Sequence, residues 1–96
     1  MGLELCVLLW AAEGRDAELE AYEDTVLALV PRHGGRVVSR VVRADDGDGP
    51  REVQVLHLPG EEALQSYLQD PDRVALADVH RAVIARTELI RVRTLV

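Results

Sequence analysis

The sequence contains no lysine, no asparagine and no phenylalanine, and it has one cysteine, Cys6. One cysteine permits no intramolecular disulfide, which points to a reducing, cytoplasmic setting. Without lysine, the eleven basic residues are all arginine. That reads first as codon usage in a GC-rich genome and second as selection for planar, bidentate ion pairing. With only Trp10, Tyr22 and Tyr67 as aromatics, the core must be aliphatic. Basic charge is also scarce. Seventeen acidic residues give a net charge of −6, which lacks the basic footprint that nucleic acid needs and disfavours an anionic membrane surface. Leu3–Trp10 is too short to span a bilayer, carries Glu4 and follows no basic region, so it is not read as a signal peptide. No glycine-rich phosphate loop, nucleophile elbow or paired-carboxylate motif occurs.

What is there suits one domain over residues 1–96. A hydrophobic content of 48% places the chain in the globular class. So small a domain buries only about two-thirds of its unfolded surface, and gains by covering one face with a copy of itself.

Alternation predicts a first strand over Leu3–Trp10. Leu3, Leu5, Val7 and Leu9 share one face; Glu4, Cys6, Leu8 and Trp10 share the other. Both faces are largely apolar, as in a central strand. Asp16 reads as the cap of a helix from about Ala17, with Leu19, Tyr22, Val26, Leu29, Val30 and His33 as its buried stripe. Glu18, Glu20, Glu23 and Asp24 lie in its first half, where the helix dipole favours anions. Pro31 bends or stops its last turn, and Gly34–Gly35 closes it. Strands follow at Arg36–Arg43 and Arg51–Leu58, joined by the polar turn Asp45–Pro50. Pro59–Gly60 precedes a short helix from Glu61. Asp70–Pro71 opens another that runs to about Arg86, and Glu88–Val96 closes the chain as a strand.

The order β-α-β-β-α-α-β specifies an α+β, ferredoxin-like fold with helices on one face of a four-stranded antiparallel sheet. The other sheet face is expected to mix aliphatics with Glu4, Arg40, Gln54, Arg91 and Arg93. Such a face is too apolar for open water and too polar for a dry core. A partner sheet would cover it, giving a two-fold homodimer with a barrel-like, partly wet interior.

Three stretches support that reading: His33–Gly34–Gly35–Arg36–Val37, Val55–Leu56–His57–Leu58–Pro59, and Ala63–Leu64–Gln65–Ser66–Tyr67–Leu68–Gln69–Asp70–Pro71. With the element order they make the chain resemble the dimeric α/β-barrel superfamily. Within it the chain is most similar to a bacterial family of unknown function related to antibiotic-biosynthesis-monooxygenase-like proteins. The resemblance implies a barrel formed by two chains. For relatives, it brings in cofactor-independent monooxygenases, heme-degrading monooxygenases and muconolactone isomerase. Monooxygenase-like members often carry a histidine where this chain has Tyr67. Heme-degrading members use an asparagine, a tryptophan and a helical histidine. Here only His80 matches, because asparagine is absent and Trp10 is on the first strand. No cofactor is expected.

Candidate acid–base groups are therefore His57, His80 and Tyr67, and candidate substrate-binding residues are Arg40, Arg91 and Trp10. Each has a plainer alternative. His57 is read as lying near the mouth of the helix layer, where it can equally be a satisfied core histidine. His80 can be a half-buried helix residue. Arg40 and Arg91 can clamp a carboxylate or bridge to Glu4 across the barrel. Trp10 and Tyr67 can line a cavity or pack. His33 reads as a helix-end histidine, and Cys6 as a small buried hydrophobe. The three histidines lack metal-ligand spacing, and Asp45, Asp46 and Asp48 lack the twelve-residue calcium-loop pattern, so no metal is expected. The ligand expected is a small molecule. Two functions stay open: a binding or accessory protein, and a cofactor-independent enzyme acting on a small carboxylated or aromatic metabolite.

Overall fold

The computed structural model describes residues 2–96. Its elements are β1 (Leu3–Ala11), α1 (Asp16–Leu27), a 3₁₀ turn (Val30–His33), β2 (Arg36–Val42), β3 (Glu52–Leu58), α2 (Glu61–Leu68), α3 (Pro71–Val74), α4 (Ala77–Val83) and β4 (Ile84–Arg91). The strands form one antiparallel sheet in the order β2-β3-β1-β4. The helices cover one face, so the molecule is a two-layer slab of 38 × 34 × 17 Å. This is the ferredoxin-like arrangement expected from the element order.

Strand β1 is central, as its two apolar faces predicted. Leu5, Val7 and Leu9 are buried beneath the helices together with Leu56 and Leu58 of β3. Leu19, Tyr22, Val26 and Leu27 of α1, Leu64 and Tyr67 of α2 and Val83 of α4 close over them. Leu5, Leu19 and Leu58 are fully buried, and removing any of these side chains to alanine would leave a cavity costing about 2–5 kcal/mol.

Several boundaries differ from expectation. Asp16 begins α1 rather than capping it; Arg15 holds the cap position and no side chain caps the turn. Helix α1 stops at Leu27, ahead of Pro31, and the chain continues as the 3₁₀ turn. Gly34 ends that turn at φ +79, a left-handed conformation that costs a side chain strain. Gly35 serves differently. A Cβ there would lie 2.7 Å from the His57 carbonyl and 2.5 Å from Leu58 Cδ2, so strand and turn meet only because it is glycine. The long helix expected from Asp70 to about Arg86 is two pieces, and β4 starts at Ile84 rather than Glu88. Ile84 leaves the helical conformation because Ala11, at the end of the central strand, offers it a ladder partner.

Asp70 fixes the corner between these pieces. Its buried carboxylate caps α3 by accepting from the Asp72 amide at 3.0 Å. It also receives Arg32 Nη1 at 3.1 Å and His33 Nε2 at 2.7 Å from the 3₁₀ turn. The histidine's hydrogen bond is the main reason that its acidity is increased. The carboxylate thus contributes stability at neutral pH that is lost as pH falls through its lowered pKa.

Candidate functional site

Between the covered sheet face and the helices lies a cavity of about 90 Å³. Leu5, Val7, Leu9, Leu56, Leu64 and Leu68 give it apolar walls. Glu23 of α1, Gln54 of β3, Arg73 of α3 and His80 of α4 add polar groups from four elements, and Tyr67 of α2 adds its ring. Thr87 and Leu89 of the edge strand also line it and are exposed, so its mouth lies along β4. Its lining, mostly apolar with a few convergent polar groups, is of the kind found in small-molecule sites, in a smaller volume.

The polar groups are joined in a buried chain. Glu52 is 0% exposed and Gln54 1% exposed. Arg40 reaches in from β2 and grips Glu52 with Nε at 2.8 Å and Nη2 at 3.2 Å. The same guanidinium donates to Asp24 and, at 2.9 Å, to the Glu20 carbonyl. Next, the Gln54 amide nitrogen donates at 2.6 Å to Glu52 and at 2.7 Å to Glu23. One amide therefore bridges two carboxylates, and only Glu52 has a bidentate cation. Burial, with Glu52 nearby adding to it, pushes the Glu23 carboxyl above its ordinary value; the Gln54 hydrogen bond opposes this.

His80 faces the same cavity. Burial, and then the Arg73 and Arg81 charges, lower its pKa, so the imidazole is neutral at pH 7. Its Nδ1 lies 3.1 Å from the Tyr22 hydroxyl. We assign that hydroxyl as the donor, which leaves the imidazole proton on Nε2. Burial raises the Tyr22 phenol as well. Tyr67 contributes its ring rather than its hydroxyl. The hydroxyl donates to the Val26 carbonyl at 3.2 Å, pinning α2 to α1, and burial pushes its pKa up to about 12. Arg73 stacks on that ring with its guanidinium carbon 5.1 Å from the centroid.

Of the residues singled out from sequence, His80 and Tyr67 meet at the cavity and the other four do not. His57 lies on the uncovered sheet face, opposite Glu4, rather than at the mouth of the helix layer. The alternation that buries Leu56 and Leu58 turns it away. Trp10 is on that same open face, with its indole donating to the Asp48 carbonyl at 3.2 Å and Arg86 stacked 4.4 Å from its ring. Arg40 faces the helices, not the barrel side, because it follows the buried carboxylate of Glu52. Arg91 pairs with Leu5 in register and so also lies on the helix side, where it grips Glu61 of α2 at 2.7 and 2.8 Å. Arg40 and Arg91 are therefore spent in ion pairs. Glu4 bonds Thr94 rather than an arginine. Gln54, expected on the open face, is in the buried chain. Cys6 is half-buried on the open face.

Sequence reasoning missed Glu23, Gln54 and Arg73 as site residues. Glu23 had a visible signal: with Leu19, Tyr22 and Val26 it completes an i, i+3, i+4, i+7 stripe, so a carboxylate stands at a core position. Among the described residues no cluster of His, Cys, Asp and Glu side chains could hold a metal ion.

No family model and no curated protein matches the chain. Solved structures do. A protein from Pseudomonas aeruginosa superposes with a TM-score of 0.75 at 16% identity, over 99% of this chain and 95% of that one. A dimeric protein of unknown function with a ferredoxin-like fold, from Bacteroides fragilis, gives 0.73 at 9% identity, covering 97% of this chain and 96% of that one. SnoaB, a cofactor-independent oxygenase from Streptomyces nogalater, gives 0.69 at 18% identity, covering 97% and 94%. At such identities these matches establish the fold: the chain is a ferredoxin-like α+β protein of the kind that these neighbours share.

Replacing Glu23 by glutamine tests the electrostatics of the site. A buried carboxyl that holds its proton more tightly when folded contributes stability at low pH, and loses it as pH rises from the ordinary carboxylate range through its raised pKa. Urea denaturation of wild type and E23Q should therefore coincide near pH 4. The variant should gain at neutral pH, by on the order of 1 kcal/mol. An advantage that shrinks with rising pH would contradict the assignment.

Proposed function

We propose that this chain is a homodimeric protein that binds a small metabolite in the cavity between sheet and helices. The observation that carries the reading is the convergence of Glu23, Gln54, Arg73 and His80, from four elements, on one apolar cavity. Burying polar groups costs stability where they lack full pairing, and functional sites are where such arrangements concentrate. The single cysteine favours a cytoplasmic setting. No described helix is long and apolar enough to cross a membrane.

The dimer follows from the other sheet face. It presents Cys6 and Leu8 of β1, Val41 of β2, Val53 and Val55 of β3 and Ile90 of β4 without any covering element. Val41 is 55% exposed and Ile90 48%. A face of this kind is a recognition surface, and a second copy packed sheet to sheet would bury it on both chains at once. The dimeric Bacteroides fragilis neighbour supports the same arrangement.

A second reading is an enzyme that needs no cofactor and performs isomerisation or oxygenation. Two titratable groups facing one cavity favour it: a carboxyl whose pKa is pushed up and an imidazole whose pKa is pushed down. Glu23 would accept a proton from a bound substrate, and the Nε2 proton of His80 would be given to a developing oxyanion. SnoaB, a cofactor-independent oxygenase of the same fold, is in keeping with this.

Thermal denaturation with a panel of compounds of about six non-hydrogen atoms tests the cavity. Binding at 100 times Kd adds about 2.7 kcal/mol, enough to raise Tm by roughly 10 °C in a domain this small. Leu68→Trp, which fills the cavity, should remove the response; a panel with no response would overturn the binding reading. Sedimentation equilibrium should give twice the 10.6 kDa chain mass. Val55→Asp, at the centre of the open face, should give the monomer, whereas a monomeric wild type would refute the dimer.

A further inference from the structure

Arg73 stands apart from the other arginines. Eight of the eleven make ion pairs: Arg15, Arg32, Arg40, Arg43, Arg51, Arg81, Arg86 and Arg91. Of the other three, Arg36 and Arg93 are exposed, where water satisfies them. Arg73 is half-buried on the cavity wall, and among the described residues it has no carboxylate partner. Its Nε is shielded from solvent and bonds nothing. A guanidinium held by stacking on Tyr67, with its Nε shielded and unpaired, lacks a carboxylate that would justify its burial.

Resting on the reading of the cavity as a ligand site, we propose that its ligand is a small aliphatic monocarboxylate that pairs with Arg73, and that its binding loads one proton onto Glu23. The planar fork of arginine matches a carboxylate. The apolar walls suit a hydrocarbon tail. The volume sets the size: a dry engineered cavity of about 150 Å³ holds benzene, so about 90 Å³ admits four to six non-hydrogen atoms.

The proton follows from charge. The charged and titratable groups around Glu23 are Tyr22 on its own helix, Glu52 of β3, Arg40 of β2, Tyr67 of α2, Arg73 of α3 and His80 of α4. Arg40 is spent on Glu52 and Asp24, and His80 is neutral. Among the described residues, Arg73 is then the cation near Glu23 that no carboxylate already holds. A ligand carboxylate takes over that cation and brings a like charge into the same small volume. Glu23 answers by taking a proton from solvent, and the loaded site holds one cation, one anion and a neutral acid.

Isothermal titration with butyrate, butyramide and butylamine, each in two buffers of different ionisation enthalpy, tests this. Butyrate should bind at least tenfold more tightly than the other two. The buffer dependence should report uptake of about one proton, with affinity falling by up to tenfold per pH unit above neutrality. Arg73→Gln should lose at least tenfold for butyrate and leave butyramide unchanged, and Arg73→Lys should recover part of the loss. E23Q should bind butyrate without taking up a proton. Butyramide or butylamine binding as tightly as butyrate, or butyrate binding without proton uptake by wild type, would overturn the inference while leaving the cavity a ligand site. No binding by any probe would overturn both.

Discussion

The amide of Gln54, held between the carboxylates of Glu52 and Glu23, is the constraint around which the covered side of this protein is arranged. A carboxylate removed from water needs a cation or several hydrogen bonds, and the alternative is to keep its proton. Arg40 settles the matter for Glu52 by crossing from β2 with two parallel hydrogen bonds. Glu23 receives only the second amide hydrogen of Gln54. The chain of contacts is thus polarised: fully paired at the β2 edge and short of partners at the cavity. That gradient leaves a carboxyl of raised pKa facing an apolar cavity.

The fold supplies the positions. A central β1 with leucine and valine on its covered side makes an apolar floor, and β3 beside it places Gln54 and Glu52 at the edge of that floor. Helix α1 lies over them because its stripe meets the sheet, and the stripe includes Glu23. The Asp70 corner then turns the chain so that α3 and α4 follow as separate short pieces. Arg73 and His80 therefore reach the cavity from two short helices.

Much of the fold was legible in the sequence because its signals are local. Pro31, Gly34 and Gly35 mark the passage from helix to strand for stereochemical reasons, and period-two alternation finds the strands. The faces were less legible. Alternation divides a strand into two sets of residues, but it does not say which set meets the helices when both mix polar and apolar side chains. Arg40, Gln54 and Arg91 were assigned to the open face because they are polar. They are in fact on the helix side, held there by Glu52, Glu23 and Glu61. His57 was assigned to the helix side because its neighbours are aliphatic, and it is on the open face. Polarity misled because carboxylates on the helix side hold these polar side chains there, Glu52 and Glu23 buried and Glu61 exposed. Arg73 was missed although it stands seven residues before His80, a spacing that puts both on one helical face.

The most direct test of this account is the titration of the Glu23 carboxyl itself, followed by NMR of side-chain carboxyl carbons and assigned through the E23Q variant. The account predicts that the resonance missing from the variant titrates above 4.5, the ordinary value for glutamate, in the wild-type protein. A Glu23 carboxyl that titrates at or below that value would be an ordinary buried ion. The polarised chain from Arg40 to the cavity would then be contradicted.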